Sequence, residues 1–421
     1  MTVWFVNPYG LLPGEAWRDY YTAVLAAALA RSGHRATWWA ASFSHHFKRQ
    51  RANPPADASC RTAAPFTVRL LPTPGYSRHV GPGRLFFEWV YGWRLFKYGR
   101  SSAPPDFIVT CDSAIAAGIA ALLLAKRHRA KLIVKTMDLW PELFVAVSPA
   151  PLRPLVRVAA GPLYALRRVL RRRADGLVAL SETYLEAARA DLPATANVPV
   201  ALVYNGIDLP AFRRALETAR NSSLEAPVRP HRKADVCAVY AGTLGSHYDI
   251  PALIEAARLL KSRQVPLTVL VAGAGPLVPQ LRTAVERDKL DNLVYLGSMP
   301  PDRLVRVYVQ ADIGLCLYGP ASNVQMPDKA YDYMAAGLPI INSLTGELAA
   351  IIRRFDMGLQ YQAGDPVSLA DAMQQLAFDH QRRRRLAENA AKAALHFDRE
   401  IQVSKFLTLV THLAEGRRSY S

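Results

Sequence analysis

The sequence predicts an α/β protein built from two consecutive doubly wound units. Three observations carry this prediction. Short β-branched runs alternate with amphipathic segments along the chain, a second series of such runs begins at residue 236, and a polar stretch at residues 217–233 precedes that series.

The predicted strands fall into two groups. The first group contains residues 2–7, 36–40, 67–71, 107–111, 132–136, 177–180 and 201–204, and the second contains residues 236–240, 267–272, 293–296, 313–317, 339–342 and 359–361. Helical patterns between most of them are typical of parallel sheets covered by helices on both faces.

We therefore expect an N-terminal, acceptor-binding unit at residues 1–205 and a C-terminal, donor-binding unit at residues 206–397. Residues 398–421 are expected to form a helix that packs back toward the first unit. The hinge is expected at Asn205 to Asp208, and the polar stretch at residues 217–233, rich in Asn, Ser and Pro, is expected to be a surface excursion.

Composition limits the class of protein. A chain of 421 residues with 51% hydrophobic and 20% charged residues is expected to fold around sizeable cores. The best apolar run, from Ala114 to Ala125, is shorter than the roughly 18 residues of a membrane span and fits a buried helix. No targeting segment precedes the first predicted strand, so we expect a cytoplasmic protein.

The cysteines and the net charge narrow the partners. Cys60, Cys111, Cys237 and Cys316 are widely spaced, which favours core residues over a disulfide framework or a zinc site. The net charge of +18 indicates an anionic partner: nucleic acid, a phosphorylated substrate or an acidic membrane surface.

The segment from Met326 to Ile341 carries the clearest chemistry. Pro327 suits a first helical turn, Gly337 suits a left-handed helix end, and Lys329 and Asp332 share one face in the early turns. A cation with free helix N–H groups suits the phosphates of a nucleotide diphosphate sugar, and a carboxylate suits its ribose diol. A surface salt bridge on an ordinary helix is the alternative interpretation.

This segment resembles the family 4 retaining glycosyltransferases, whose fold is GT-B, and in particular their bacterial polysaccharide branch. The resemblance rests on Pro327, Lys329, residues 333–337 and Pro339, with Asp332 at the position of the family's ribose-binding glutamate. It implies two Rossmann-like domains that face each other across a cleft. Val324 stands where many relatives have a second glutamate.

Further segments extend the resemblance over nearly the whole chain. Residues 204–208 are similar to the family's Asn-Gly-x-Asp crossover between the domains. In the loop after residue 240, Gly242, Thr243 and His247 stand where relatives often offer Arg and Lys to the diphosphate, which implies that Lys329 is its main cation. The resemblance also places Tyr333 among the donor-binding residues.

Two glycine segments leave alternatives open. Gly273-Ala274-Gly275 is similar to the family's Gly-x-Gly-Pro turn, and a purely structural turn explains it equally well. Gly14 follows the first strand before a helix, where bare N–H groups suit donor phosphates or an acceptor, although a simple strand-to-helix turn has the same pattern.

The segment after residue 136 is typical of the polysaccharide branch, with Asp-Leu-Trp-Pro-Glu at residues 138–142. Met137 lies at the usual histidine position, so Asp138 is the candidate that positions or deprotonates the acceptor hydroxyl. Capping of the following helix is the alternative role for Asp138.

Two basic, apolar segments offer an explanation for the charge. Residues 84–98 combine aromatic residues with Arg and Lys, and residues 152–173 carry seven arginines among apolar positions. Both suit helices in a bilayer interface, and either stripe could instead pack against its own sheet. No nucleic-acid-binding module is recognised, so we expect no nucleic-acid partner.

The sequence thus predicts a retaining glycosyltransferase of cell-surface polysaccharide synthesis, such as lipopolysaccharide or capsule. Its donor is a nucleotide sugar, its acceptor is a polyprenyl-diphosphate-linked or saccharide hydroxyl, and its location is the inner face of the plasma membrane. Catalysis is assigned to Asp138 and Lys329, with no cofactor and no metal, since no Asp-x-Asp cluster is found. A sugar-nucleotide epimerase and a silent binding subunit are the competing hypotheses.

Overall fold

The computed structural model describes residues 1–15, 19–51, 59–60, 65–77, 81–138, 140–146, 148–221 and 236–418. The chain divides into two compact units. Unit 1 comprises Met1–Tyr204 and Gln402–Ser421, and unit 2 comprises Asn205–Ile401. Most of the expected surface excursion, from residue 222 onward, lies outside the described residues, as do Leu139 and the side chain of Cys60.

Unit 1 alternates strands and helices in the predicted way. Its strands are β1 (Thr2–Val6), β2 (Arg35–Ala41), β3 (Phe43–Ser44), β4 (Arg49–Gln50), β5 (Ser59–Cys60), β6 (Thr67–Leu71), β7 (Phe107–Cys111), β8 (Lys131–Thr136), β9 (Gly176–Ala179) and β10 (Val200–Leu202). Its helices before residue 204 are α1 (Tyr21–Arg31), α2 (Pro82–Gly99), α3 (Ile115–His128), α4 (Glu142–Ala146), α5 (Arg153–Ala159), α6 (Gly161–Arg172) and α7 (Glu182–Arg189).

The main sheet of unit 1 has the strand order β10-β9-β8-β7-β1-β2-β6-β5. All its pairs are parallel except that of β5 with β6. The chain leaves β1 toward β2 on one side and later builds β7 to β10 on the other side. The strand order therefore reverses between β1 and β7, and such a switch point opens a crevice at the carboxyl ends of the strands.

Unit 2 repeats this architecture. Its strands are β11 (Val236–Ala241), β12 (Leu267–Ala272), β13 (Leu293–Gly297), β14 (Ile313–Cys316), β15 (Ile340–Asn342) and β16 (Gly358–Gln360). Its helices are α8 (Leu209–Asn221), α9 (Ile250–Ser262), α10 (Val278–Arg287), α11 (Pro301–Gln310), α12 (Asp328–Ala336), α13 (Glu347–Phe355), α14 (Pro366–Phe378) and α15 (His380–Ala394). The parallel strands follow the order β13-β12-β11-β14-β15-β16.

The last helix, α16 (Arg399–Arg418), supplies core residues to unit 1. Its Phe406, Leu409 and Val410 are buried in one cluster with Val3 and Phe5 of β1. An apolar stripe on this helix covers one face of the sheet, which gives those strands the buried surroundings that parallel strands require.

The central strands of both units are buried along their length, as in β7 and β11. Helices cover both faces of each parallel sheet, and the central strands therefore have continuous apolar sequences. The run from Ala114 to Ala125 lies largely in α3, whose inner face is buried, as expected for a core helix. Cys111, Cys237 and Cys316 are buried and are not joined in disulfides.

Candidate functional site

Helix α12 displays the predicted motif at the carboxyl end of the unit 2 sheet. Its first residue is Asp328, and Pro327 precedes it in an extended conformation with no side-chain hydrogen bond to the helix start. Gly337 has φ of 70° and ends the helix in the left-handed region, as predicted. Asn205 donates its Nδ2 hydrogen to Asp328 Oδ1 at 3.1 Å, which ties the crossover segment to this helix.

The ammonium group of Lys329 lies among three tyrosine rings. Its Nζ atom is 4.0 Å from the centre of the Tyr240 ring, 4.9 Å from that of Tyr248 and 5.3 Å from that of Tyr318. It is buried and has no hydrogen-bond partner among the described residues. Burial lowers the pKa of Lys329 to about 8, and Cys316 acts against this fall.

The three tyrosines are functional candidates that sequence analysis missed. Tyr240 lies near the end of β11, Tyr248 follows in the next loop, and Tyr318 follows β14. Aromatic residues at the carboxyl ends of neighbouring parallel strands were the available signal. We call Tyr240, Tyr248 and Tyr318 the tyrosine cage; its ring faces attract a cation without neutralising its charge.

Asp332 lies one turn further along α12 and is only 4% exposed. Asp332 and Lys329 therefore do not point into bulk solvent.

Tyr333 requires a correction to the predicted donor contacts. Its side chain is fully buried; its hydroxyl accepts a hydrogen bond from Ala241 N–H at 3.0 Å and donates to the Leu315 carbonyl at 3.3 Å. The hydroxyl thus joins β11 to β14 and is not available to a ligand, because both partners are backbone groups inside the core.

The loop after β11 carries Gly242, Thr243 and His247. Thr243 and His247 are exposed, and Gly242 has φ of +148°. A Cβ atom at Gly242 would lie 2.7 Å from Lys329 Nζ, so a glycine is needed where the loop passes over the ammonium group. This arrangement brings Gly242 and Lys329 together, whereas Thr243 and His247 extend toward solvent.

The glycines at residues 273 and 275 have a packing role. Cβ atoms there would clash with the carbonyl oxygens of Gly242 and Leu244. Leu244 N–H donates to the Ala274 carbonyl at 2.9 Å, and Gly242 N–H donates to the Ala272 carbonyl at 2.9 Å. Close backbone contact between the loops after β11 and β12 therefore explains this turn, as the structural alternative proposed.

In unit 1, Gly14 lies in a turn between β1 and α1, and α1 ends at Arg31, close to the predicted helix end. Gly14 is exposed, with φ of +82°. Arg51 pairs with Glu15 at 2.6 Å and donates to the carbonyls of Gly10 and Ala41 at 2.8 and 2.7 Å. Arg51 thus anchors the loop that presents Gly14.

Asp138 follows β8 and is open to solvent, as expected for a ligand-facing carboxylate. Protein atoms crowded around it nevertheless raise the pKa of its carboxyl group to about 6. Arg84 and Lys135 act against this rise, and Asp112 adds to it. A carboxyl group with a pKa near neutrality suits general base chemistry.

Arg84 is a further residue that sequence analysis did not assign. Its guanidinium lies 4.1 Å from the centre of the Trp140 ring and 4.8 Å from that of Tyr9. It also pairs with Glu88 at 3.2 Å, one turn along α2. Arg84 therefore links α2 to the segment that carries Asp138.

Buried ion pairs hold the same segment from α6. Arg167 donates to the Trp140 carbonyl at 2.8 Å and pairs with Glu142 at 2.6 Å. Arg171, fully buried, pairs with Asp112 at 2.6 Å and with Asp191 at 2.8 Å. The arginines of residues 152–173 are thus of two kinds. Arg167 and Arg171 form internal ion pairs, and the others are exposed.

The two basic, apolar segments each have buried and exposed apolar residues. On α2, Phe87, Tyr91 and Leu95 are buried, while Phe86, Trp89 and Trp93 are exposed, Trp89 by 61%. Residues 152–169 likewise expose Leu152, Leu155, Val158, Leu166 and Val169, with Val158 at 76%. We call Phe86, Trp89 and Trp93, the exposed aromatic residues of α2, the aromatic face.

The described helices and acidic, His and Cys side chains bear on membranes and metals. Within the described residues, none of the helices has the length and apolar character that crossing a bilayer demands. In the same part of the chain, we find no group of three or more His, Cys, Asp or Glu side chains arranged to hold a metal ion.

Two family models match this chain. The model described as "Glycosyl transferase 4-like domain" matches residues 19–206. The model described as "Glycosyl transferases group 1" matches residues 224–393. Together they leave only short segments unmatched.

Curated proteins give partial matches. The D-inositol 3-phosphate glycosyltransferase of Corynebacterium urealyticum is 29% identical over 231 residues, which are 51% of this chain and 51% of that protein. The amylovoran biosynthesis glycosyltransferase AmsK of Erwinia amylovora is 30% identical over 128 residues, 30% of this chain and 31% of AmsK. The chain therefore matches about half or less of the length of these relatives.

Solved structures match along the whole chain. HepE of Anabaena in complex with UDP has a TM-score of 0.66 and 16% identity, with 100% of both chains covered. WaaG, a glycosyltransferase involved in lipopolysaccharide biosynthesis, has a TM-score of 0.62 and 15% identity, with 96% of this chain and 98% of WaaG covered. These likenesses show the fold, which is GT-B. With both family models matched in order, the chain belongs to the family 4 glycosyltransferases.

Proposed function

We propose that this chain moves a sugar, with retention of configuration, from a nucleotide-sugar donor to a lipid-linked or saccharide hydroxyl. The donor binds unit 2 and the acceptor binds unit 1. The product belongs to a cell-surface polysaccharide such as lipopolysaccharide or capsule.

One observation carries the proposal: Lys329 keeps a buried ammonium group without a hydrogen-bond partner at the start of α12. A buried cation without a counter-ion is costly, so the site is incomplete until an anion arrives. A diphosphate supplies that charge, and the first N–H groups of α12 are further donors for it in this proposal.

The same contacts assist the reaction itself. As the bond between the sugar and the diphosphate breaks, negative charge grows on the leaving oxygen. Lys329 stabilises that charge where little water screens it, so leaving-group stabilisation needs no metal in this proposal. Gly242, Thr243 and His247 contribute backbone and side-chain donors, and no resident cofactor takes part.

Asp332 and Asp138 take separate roles. Asp332 accepts hydrogen bonds from the ribose diol, which fixes the nucleoside while the sugar reacts. Asp138 positions the acceptor hydroxyl and accepts its proton, a role that its pKa of about 6 supports at neutral pH.

The comparisons support the substrate classes. AmsK is named for amylovoran biosynthesis, another relative is named for colanic acid biosynthesis, and HepE was solved with UDP and with UDP-glucose. The first two names support a polysaccharide product, and the HepE complexes support a nucleotide-sugar donor.

We also propose that unit 1 docks on the inner face of the plasma membrane. Phe86, Trp89 and Trp93 enter the headgroup layer, and the exposed arginines of residues 152–173 meet anionic lipid. The net charge of +18 favours the same surface.

The test of transfer starts with a thermal-shift screen over UDP-, GDP- and dTDP-sugars, because a ligand of the folded state raises its melting temperature. The donor found is then incubated with and without a polyprenyl-diphosphate acceptor, and nucleoside diphosphate release is measured. We expect release that depends on the acceptor. If the donor is converted to an isomeric nucleotide sugar without any acceptor, the chain is an epimerase. If it binds no donor, it is a silent subunit.

A matched pair of variants tests the ribose contact. Asp332→Asn is expected to weaken donor binding by about 10- to 100-fold, because a charged acceptor is lost. Asp302→Asn, an exposed carboxylate in the first turn of α11, serves as the control and should bind the donor normally. Unchanged donor binding in Asp332→Asn would remove the ribose contact from the proposal.

Vesicle sedimentation tests the membrane contact. We expect binding to phosphatidylglycerol vesicles, weaker binding to phosphatidylcholine, and loss of binding when Trp89 and Trp93 are changed together to Ser. Phe378→Ser, which removes an exposed aromatic residue in unit 2, is the control. Equal binding by both variants would argue against the aromatic face.

A further inference from the structure

Unit 1 contains a small cavity at its strand-order switch point. It is lined by residues at the carboxyl ends of β1, β7 and β8 and by the start of α1, among them Asn7, Tyr21, Thr22, Thr110 and Lys135. Its volume of about 20 Å³ holds one water-sized atom. In open α/β sheets, ligands bind at this point of the topology.

Lys135 is the unusual member of this lining. It lies on a central strand, is 4% exposed, and its Nζ atom has no hydrogen-bond partner among the described residues. The nearest aromatic group is Tyr21, whose ring centre is 2.8 Å from Nζ. Burial lowers the pKa of Lys135 well below its usual range, while Cys111 and Asp138 act against that fall. Burial disfavours the charged form of Lys135, and an anion in the cavity would offset that cost.

Other donors around the cavity are also unsatisfied. The Tyr21 hydroxyl and the Thr110 hydroxyl are buried and have no hydrogen-bond partner within the described part of the chain. Helix α1 begins at Tyr21 with no side-chain cap and no acidic residue in its first turn. Its N-terminal N–H groups and its dipole add to the positive potential.

Negative groups do not line the cavity. All its lining residues belong to the described part of the chain, and none of them is Asp or Glu. The nearby carboxylate of Asp112 is paired with Arg171 at 2.6 Å and accepts a hydrogen bond from Thr136 at 2.7 Å. Asp138 acts on Lys135 through its charge alone, so the ammonium group and the two hydroxyls have no hydrogen-bond acceptor among the described residues.

We propose that this cavity is an oxyanion subsite, in which Lys135, Thr110 and Tyr21 bind one oxygen of a phosphate or carboxylate group. This inference rests on the proposed function, because the group would belong to the acceptor held by unit 1. It narrows the acceptor class from any saccharide or lipid-linked hydroxyl to one that carries an acidic group. The size of the cavity admits a single oxygen, so the rest of the acceptor lies outside it.

The test uses isothermal titration of the full chain with farnesyl diphosphate, inorganic phosphate and the neutral alcohol farnesol. We expect Lys135→Met to weaken binding of farnesyl diphosphate by about tenfold or more, since a charged hydrogen bond is lost. Farnesol should bind both proteins equally. If Lys135→Met loses affinity for inorganic phosphate by the same factor as for farnesyl diphosphate, free phosphate is a ligand of the same subsite.

Two controls separate this subsite from other cations. Lys126→Met removes an exposed lysine of α3 and an equal charge, and it should leave the anion affinity unchanged. Lys329→Met disables the proposed donor site, and it should retain the Lys135-dependent affinity. If Lys135→Met still binds the nucleoside diphosphate, the proposed donor site does not depend on Lys135, and the two proposals are tested separately.

A second variant covers the case in which Lys135→Met fails to fold. Thr110→Val preserves shape and removes one hydroxyl donor, and we expect a loss of several-fold in affinity for farnesyl diphosphate. Wild-type affinity in Lys135→Met, or in Thr110→Val if that variant alone folds, would overturn the subsite.

Discussion

The Nζ atom of Lys329 lies 4.0 Å from the centre of the Tyr240 ring and has no hydrogen-bond acceptor among the described residues. A cation–π contact holds the ammonium group in place and leaves its charge unneutralised. Lys329 is therefore positioned by aromatic rings, and no acceptor among the described residues neutralises its positive charge.

Donor binding should weaken as the pH rises through about 8, where burial places the pKa of Lys329. Below that pH the ammonium group is charged and attracts the diphosphate; above it the neutral amine does not. The dissociation constant should thus be level in mildly acidic buffer and rise by up to about tenfold per pH unit in the alkaline range. Titration of the donor across this range is the measurement.

Lys329→Arg supplies the control for this pH dependence. Its guanidinium keeps its charge, so whatever affinity remains should be independent of pH up to the alkaline limit. An alkaline loss of the same size in Lys329→Arg would assign it to another group.

Turnover should fall at acidic pH because of Asp138. Protein atoms crowded around its carboxyl group raise the pKa to about 6, and only the ionised form accepts a proton from the acceptor hydroxyl. We expect kcat/KM to decrease about tenfold per unit below that pH. Asp138→Asn should be slow at every pH and should lack this acidic limb; a variant that keeps the limb would exclude Asp138 as the base.

Tyr333→Phe should separate stability from ligand binding. The change leaves the Ala241 N–H without its acceptor inside the core, which costs about 1–3 kcal/mol in the free energy of unfolding. Donor affinity should remain close to that of the native protein, since the hydroxyl faces the sheet. Urea denaturation and donor titration of one sample measure both quantities, and lost affinity in a folded variant would return Tyr333 to the donor site.

The buried pair of Arg171 and Asp112 should be essential for the stability of unit 1. Arg171→Met leaves the carboxylate of Asp112 buried without its cation, and we expect a loss of about 3–5 kcal/mol. Arg168 lies on the same helix as Arg171, and Arg168→Met breaks only its exposed contact with Asp191. This change should cost about 1 kcal/mol or less. Urea unfolding of the two variants gives the comparison, and equal losses would contradict the role of burial.

Sequence reasoning reached the architecture because the pattern of buried strands is local. Parallel strands covered on both faces read as apolar runs, so β7 and β11 were identified within one residue of their ends. The turn chemistry of Gly337 was equally local, since a left-handed helix end favours glycine.

Errors arose where a side chain's direction decided its role. Tyr333 lies within the motif, but its helix position turns it into the core, where its hydroxyl bonds to two strands. That direction does not follow from the order of the residues alone.

The two-unit α/β architecture and the motif that carries Lys329 and Asp332 could be predicted from the order of the residues, because both depend on residues close together in the chain. The three-dimensional arrangement was needed to find that Tyr240, Tyr248 and Tyr318 enclose Lys329, and that Tyr21, Thr110 and Lys135 share one cavity. Those groups come from distant segments, and the pairing of strands in a sheet is what brings their carboxyl ends to one place.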